Sequence, residues 1–137
     1  MNTHSFSELG LSSALTEAVS AEGYTSPTEI QARSVPHLLA GRNLLATAQT
    51  GTGKTAAFVL PLLQRLSDSG TKKNAAGGAV ARPKALILVP TRELAVQIDT
   101  SVATYGARSA VSHTAVFGGA PKARQSAALR KRPTVLT

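Results

Sequence analysis

The sequence predicts an α/β fold in which a parallel sheet carries helices on both faces, and three observations point to it. Short apolar segments alternate with longer stretches of helical periodicity, the pattern of strands joined by crossover helices. A Gly-rich turn at 48–55 leads from one apolar segment straight into a helical run. The 137 residues suit one domain, and a 42% apolar content excludes a wholly disordered chain. Four candidate strands are few for such a sheet, and the last coincides with the final residue. The expectation is therefore a fold truncated on its C-terminal side.

Residues 11–22 read as an amphipathic helix, with Ser12 as N-cap, Leu11, Leu15 and Val19 four apart, and Gly23 at its end. A second helix starts at Thr28. Ile30, Val35, Leu38 and Leu39 can form its buried stripe, Pro36 should bend or break it, and Gly41 should stop it. Asn43 to Thr47 is compatible with a buried strand. Lys54 to Ser67 is helical, with Pro61 expected to weaken it midway. Residues 68–82, rich in Gly, Ala and Lys and lacking periodicity, read as an exposed, mobile insertion. Lys84 to Val89 is the clearest strand, a continuous apolar run between Pro83 and Pro90. Thr91 can cap the next helix, whose first turn holds Glu93 and which ends near Gly106. A strand at 113–117, a basic helix over about 122–131 and a strand at 133–137 complete the series.

Composition narrows the chemistry. Cysteine is absent, which excludes disulfides and thiolate metal sites, and His4, His37 and His113 lack metal-ligand spacing. No apolar run approaches the ~20 residues needed to cross a bilayer, and the first ten residues lack the pattern of a secretory signal. No membrane association and a cytoplasmic location are the resulting expectations. The net charge of +8 is unevenly spread: residues 1–69 carry four basic and five acidic groups, residues 70–137 eleven basic and two acidic. A basic half suggests an anionic partner, although part of it can be a solvated face.

The segment AQTGTGKT at 48–55 has the character of a phosphate-binding loop. Gly51 and Gly53 let the backbone turn its N–H groups toward a phosphate chain, and the following helix adds its positive end. Lys54 would reach the β- and γ-phosphates, and Thr55 would place its hydroxyl on Mg²⁺. The general pattern Gly-x-x-x-x-Gly-Lys-Ser/Thr has Gly where this chain has Ala48, which narrows the class of nucleotide-binding protein.

With that loop, Ala48, Thr50, Gly51, Gly53, Lys54 and Thr55 match the Ala-x-Thr-Gly-x-Gly-Lys-Thr form of the DEAD-box ATP-dependent RNA helicases, which the chain resembles, the bacterial members in particular. Upstream, GYTSPTEIQ (Gly23, Tyr24, Pro27, Thr28, Ile30, Gln31) resembles the family's Q motif, with Phe6 as the isolated aromatic seventeen residues before it. Downstream stand PTRELA at 90–95 and the pair Gly118–Gly119. Glu29 departs from the Pro usual in bacterial members, with little expected consequence. The resemblance covers the whole chain. It implies an N-terminal helical segment with the Q motif at 1–33, then part of an ATP-binding RecA-like domain of the P-loop NTPase class at 34–137.

The resemblance implies ATP and Mg²⁺ as cofactors. Lys54 and Thr55 would be catalytic, and Phe6, Tyr24, Gln31, Thr50, Gly51, Thr52, Gly53, Lys54 and Thr55 would hold the nucleotide. A terminal amide such as Gln31 can both donate to and accept from an adenine edge. Phe6 and Tyr24 as core aromatics, and Gln31 as a surface residue, are the structural alternatives. Arg92, Gly118 and Gly119 would meet the sugar-phosphate backbone of single-stranded RNA or a short duplex. The alternatives there are an ion pair from Arg92 to Glu93 or Asp99, and a plain turn at the glycines. Arg124, Arg130, Lys131 and Arg132 either extend the positive face or are ordinary surface charge. No particular protein partner is implied.

The family's Asp-Glu-Ala-Asp segment, which orders Mg²⁺ and activates water, is not among these residues; the only Asp residues are Asp68 and Asp99. Phosphoryl transfer needs several groups at once, so the 137-residue chain alone is expected to be a non-catalytic ATP- or RNA-binding fragment of an RNA helicase. A partly open sheet, with 43–47 as an unpaired edge, is also expected to cost stability. A small P-loop kinase would need its own acidic Mg²⁺ partner and acceptor site, and the sequence offers neither.

Overall fold

The computed structural model describes residues 5–69 and 83–137. The expected insertion therefore lies, from residue 70 to 82, outside the described residues. In chain order the elements are α1 (Ser13–Ala21), α2 (Glu29–Leu39), α3 (Lys54–Asp68), β1 (Ala85–Leu86), α4 (Arg92–Tyr105), β2 (His113–Thr114), α5 (Lys122–Arg130) and β3 (Val135–Leu136).

The helices follow from local chemistry. Ser12 stands at the N-cap of α1, its own N–H donating to Gln64 Oε1 at 2.8 Å and tying α1 to α3. At the other end Gly23, at φ +83°, lets its N–H reach Ser20 O while the Tyr24 N–H reaches Val19 O, closing the last turn. Thr91 Oγ1 accepts from the Leu94 N–H at 3.2 Å, so α4 begins where its capping residue predicts. Neither internal proline breaks its helix. α2 runs through Pro36 and α3 through Pro61 without a break. Each forfeits one helical hydrogen bond, but Val35 beside the first, and Leu60 and Leu63 around the second, are fully buried. The core packing of these neighbours outweighs the missing bond.

α2 packs on α3, α3 on α4, and α1 on α4. Their shared cluster contains Phe6, Leu11, Leu15, Val19, Val35, Val59, Leu60, Leu63, Ile98 and Val102. The buried side of α2 is not the stripe expected. Val35 is buried, but Gln31 and Ser34 share that side with it, while Ile30, Leu38 and Leu39 are only half-buried.

The sheet is parallel, in the order β1–β3–β2, with Ala85 and His113 flanking Val135 and Leu86 and Thr114 flanking Leu136. This agrees with the α/β class. The last predicted strand is the central one. The strands are shorter than their apolar runs, although backbone bonds continue past both ends. On one side Lys84 N–H donates to Thr134 O at 2.9 Å and Thr134 N–H to Ser112 O at 2.8 Å; on the other, Ile87 N–H donates to Leu136 O and Val116 N–H to Thr137 O, each at 2.8 Å. In the segment 84–89, Ile87 and Val89 pack against the helical cluster, whereas Leu86 and Leu88 are exposed. The run is thus covered on one side among the described residues, not on both.

The predicted buried strand at 43–47 is a correction. These residues belong to no strand and are exposed, Leu45 at 94%. A strand exists only through lateral partners, and no described segment pairs with this one.

Candidate phosphate-loop and anion-binding sites

The phosphate loop connects the exposed segment to α3. Gly51 has φ +82° and Gly53, the N-cap of α3, has φ +89°, a left-handed conformation that a side chain disfavours. Lys54 and Thr55 are the first two residues of the helix, both half-buried. The loop folds onto its own carbonyls: the Lys54 ammonium donates to Ala48 O and Gln49 O, and Thr52 Oγ1 donates to Gln49 O at 2.7 Å. Thr50 is exposed on the loop.

α2 abuts this loop from behind. Thr28 and Gln31 occupy the N-cap and N3 positions of a capping box, in which the Thr28 N–H donates to Gln31 Oε1 at 3.0 Å. The other end of the same amide, Nε2, donates to Gly53 O at 3.1 Å. Gln31 is therefore 2% exposed and bridges the start of α2 to the start of α3, with a hydrogen bond already made at each end of its amide. The surface alternative for Gln31 does not hold. A Cβ added to Gly53 would stand 2.4 Å from Gln31 Nε2 and 3.1 Å from Thr28 Oγ1. Glycine is required here by close approach as well as by φ.

Thr28 Oγ1 is buried beside Gly53 and faces the Gln31 N–H as the other half of the capping box. In the sequence Thr28 stands out as a helix start and as part of the Q-motif resemblance. The Thr-x-x-Gln spacing that signals a capping box could also have flagged that Gln31 and Thr28 project together.

The two aromatics are elsewhere. Phe6 is 6% exposed within the hydrophobic cluster, the core alternative. Tyr24, half exposed after the Gly23 turn, lies near Tyr105 at the end of α4; burial first, and then Tyr24, push the Tyr105 phenol up to about 12.

The second group gathers at the start of α4. Arg92 is its first residue and exposed; Nε donates to Glu93 Oε1 at 2.7 Å, the ion pair anticipated as one alternative. That bond raises the Arg92 pKa and lowers that of Glu93. The Asp99 carboxylate is engaged with His113 Nδ1 instead, at 2.8 Å. Arg92 Nη1 lies 4.0 Å from where a Cβ of Gly119 would stand, so the fold brings together residues 27 positions apart in sequence. Gly118 and Gly119 are exposed, and a Cβ on Gly118 would meet nothing within 4 Å. Arg124, Arg130, Lys131 and Arg132 are all exposed.

A left-handed glycine cradle at the head of a 15-residue helix, backed by a second helix and set in a parallel α/β fold, defines a phosphate-loop nucleotide-binding domain. The DEAD/DEAH box helicase family model matches residues 28–137, and the chain belongs to that family. It is 47% identical over 131 residues to the ATP-dependent rRNA helicase rrp3 of Aspergillus terreus, covering 96% of this chain and 27% of that protein. It is 40% identical to the DEAD-box ATP-dependent RNA helicase CshA of Bacillus cereus, covering 96% of this chain and 23% of the relative. Among solved structures, the RNA helicase Prp28 from Chaetomium thermophilum, bound to ADP, superposes with a TM-score of 0.84 at 36% identity, over 99% of this chain and 32% of the other. The chain thus spans about a quarter of the length of the curated relatives it matches.

Proposed function

We propose that this chain is the nucleotide-gripping and part of the RNA-gripping surface of an ATP-dependent RNA helicase. The observation that carries the reading is the Gly51–Gly53 cradle with Lys54 and Thr55 at the head of α3 and the buried Gln31 amide bonded to Gly53 O. Lys54 would leave the Ala48 and Gln49 carbonyls to pair with the β- and γ-phosphates, exchanging neutral acceptors for anionic ones. The Thr55 hydroxyl fits a Mg²⁺ ion delivered by the nucleotide. No cluster of three His, Cys, Asp or Glu stands ready to hold a metal among the described residues, so phosphate oxygens and water would supply most of its shell. The ion supplies charge neutralisation at the phosphates when bound. Gln31 makes one bond at each end of its amide, and each end keeps capacity for one more toward adenine. Its established bond to Gly53 would make the same side chain report base occupancy to the phosphate loop.

At the other end, Arg92 and the open Gly118–Gly119 turn suit the backbone of single-stranded RNA or a short duplex. The cytoplasm is the proposed location. The 137 residues contain Asp only at 68 and 99, the first closing α3 and the second paired with His113. This favours the second reading for the chain in isolation: binding without turnover.

Calorimetry with ATP·Mg²⁺ tests the proposal. Binding by the 137-residue chain is expected, weakened at least about tenfold by Lys54→Ala through loss of a charge-assisted contact. Absence of any nucleotide binding by the folded chain would sink it. RNA-stimulated ATP turnover that disappears in Lys54→Ala would instead overturn the binding-only reading.

A further inference from the structure

The Gly118–Gly119 turn is held at both ends by one side chain. Gln125, the fourth residue of α5, accepts from the Phe117 N–H at 2.8 Å and donates to Phe117 O at 3.0 Å and to Ala120 O at 3.4 Å. Phe117 directly follows Val116, whose N–H donates to Thr137 O in the neighbouring strand. A carboxamide carries the donor and acceptor of a peptide group, so Gln125 gives Phe117 the reciprocal pair that another strand residue would give. Its third bond fixes Ala120, on the far side of the two glycines.

Between those anchors lie two residues that would otherwise have the largest backbone freedom in any chain. Gly119 instead adopts φ +79°, close to the Arg92 guanidinium. No residue of α5 is fully buried, and this amide joins its first turn to the loop.

We propose that Gln125 is a positioning residue: it pre-shapes the Gly118–Gly119 turn beside Arg92 so that the RNA backbone meets an ordered surface. The inference rests on the RNA-facing reading of Arg92, Gly118 and Gly119, and it assigns Gln125 no contact with RNA. Ordering the turn in advance removes an entropic cost from binding. Because Gln125 is neutral, its loss lowers affinity without changing the number of phosphate charges neutralised.

The test uses the 137-residue chain, fluorescein-labelled single-stranded RNA read by anisotropy across a salt series, ATP·Mg²⁺ calorimetry, and amide exchange at Phe117. Gln125→Ala is expected to weaken RNA binding about three- to tenfold at every salt concentration, the cost of reordering two glycines. The salt slope and the ATP affinity stay as they were, and Phe117 loses exchange protection. Gln125→Glu keeps an acceptor for the Phe117 N–H but sets a carboxylate against the two carbonyls, so it acts in the same direction and serves should the alanine variant fold poorly. Arg92→Ala, by contrast, should reduce the salt slope by about one. If Gln125→Ala binds RNA like the unsubstituted chain while Arg92→Ala is impaired, the positioning role is wrong and the RNA-facing reading survives. If Arg92→Ala changes neither affinity nor slope, the RNA-facing surface fails and takes the role of Gln125 with it. Parallel losses of RNA and ATP affinity in both Gln125 variants would mean general destabilisation and would also overturn the proposal.

Discussion

Helices α1 to α4 and the β1–β3–β2 sheet are built from comparably apolar segments, yet they bury them very differently. Val19, Val35, Val59, Leu60, Leu63 and Val102, all helical, are essentially inaccessible; in the sheet only Val135, in the central strand, reaches that state. Leu45, Leu86 and Leu88 remain exposed, and no residue of α5 is fully buried. The difference follows from where backbone hydrogen bonds come from. A helix satisfies its own interior and needs one apolar neighbour. A strand needs partners on both edges and cover on both faces before its apolar run is used. The phosphate loop heads the buried helix α3, whereas the Gly118–Gly119 turn follows the short strand β2 and leads into the exposed α5.

The largest test of this contrast is a pair of matched truncations. Leu63→Ala, in the fully buried part of α3, should cost about 2–5 kcal/mol in urea unfolding. Leu129→Ala, on exposed α5, should cost less than about 0.5 kcal/mol. Similar costs would erase the distinction. Next, Gly53→Ala places a Cβ against Gln31 and Thr28 at φ +89°, and should cost about 2 kcal/mol. It should weaken ATP binding as well while sparing RNA binding, which sharpens the division into two ends. Removing the α4 cap by Thr91→Ala should cost about 1 kcal/mol in thermal unfolding, and that loss acts on the helix that both ends share.

The smallest effect is a pH dependence. The Tyr105 phenol is raised from 10.0 to about 12, chiefly because burial disfavours its anion. The unfolded chain loses that proton first, so the contribution is fully present below pH 10 and is lost as pH rises toward 12. Denaturation midpoints followed over that window should fall less steeply for Tyr105→Phe. Identical slopes would show that the Tyr105 phenol is not buried at the end of α4.

Much of the helical half was legible in the residues. Ser12 before α1, Thr28 before α2, Gly53 before α3 and Thr91 before α4 each stand where capping chemistry predicts. The prolines misled because Pro36 and Pro61 cost a local bond that tertiary packing repays, a balance invisible in a linear pattern. The strand at 43–47 misled for the opposite reason: its apolar character is genuine, but its neighbours decide whether it is buried. At the nucleotide end, Gln31 and Lys54 could be named from spacing, whereas the fully packed Phe6 and the outward Tyr24 could not be told apart.

What the sequence by itself determined, then, is whatever is governed by neighbours within a few positions: helix starts, left-handed turns, the phosphate loop and the family signatures they carry. The tertiary structure alone decided what depends on separate elements meeting. It turned the Gln31 amide onto Gly53, set Gly119 against Arg92, and put Gln125 against the Phe117 backbone. The physical reason is range. Backbone torsions and caps answer to adjacent residues, whereas burial, strand pairing and side-chain clamps answer to whichever segments the core brings within hydrogen-bonding distance.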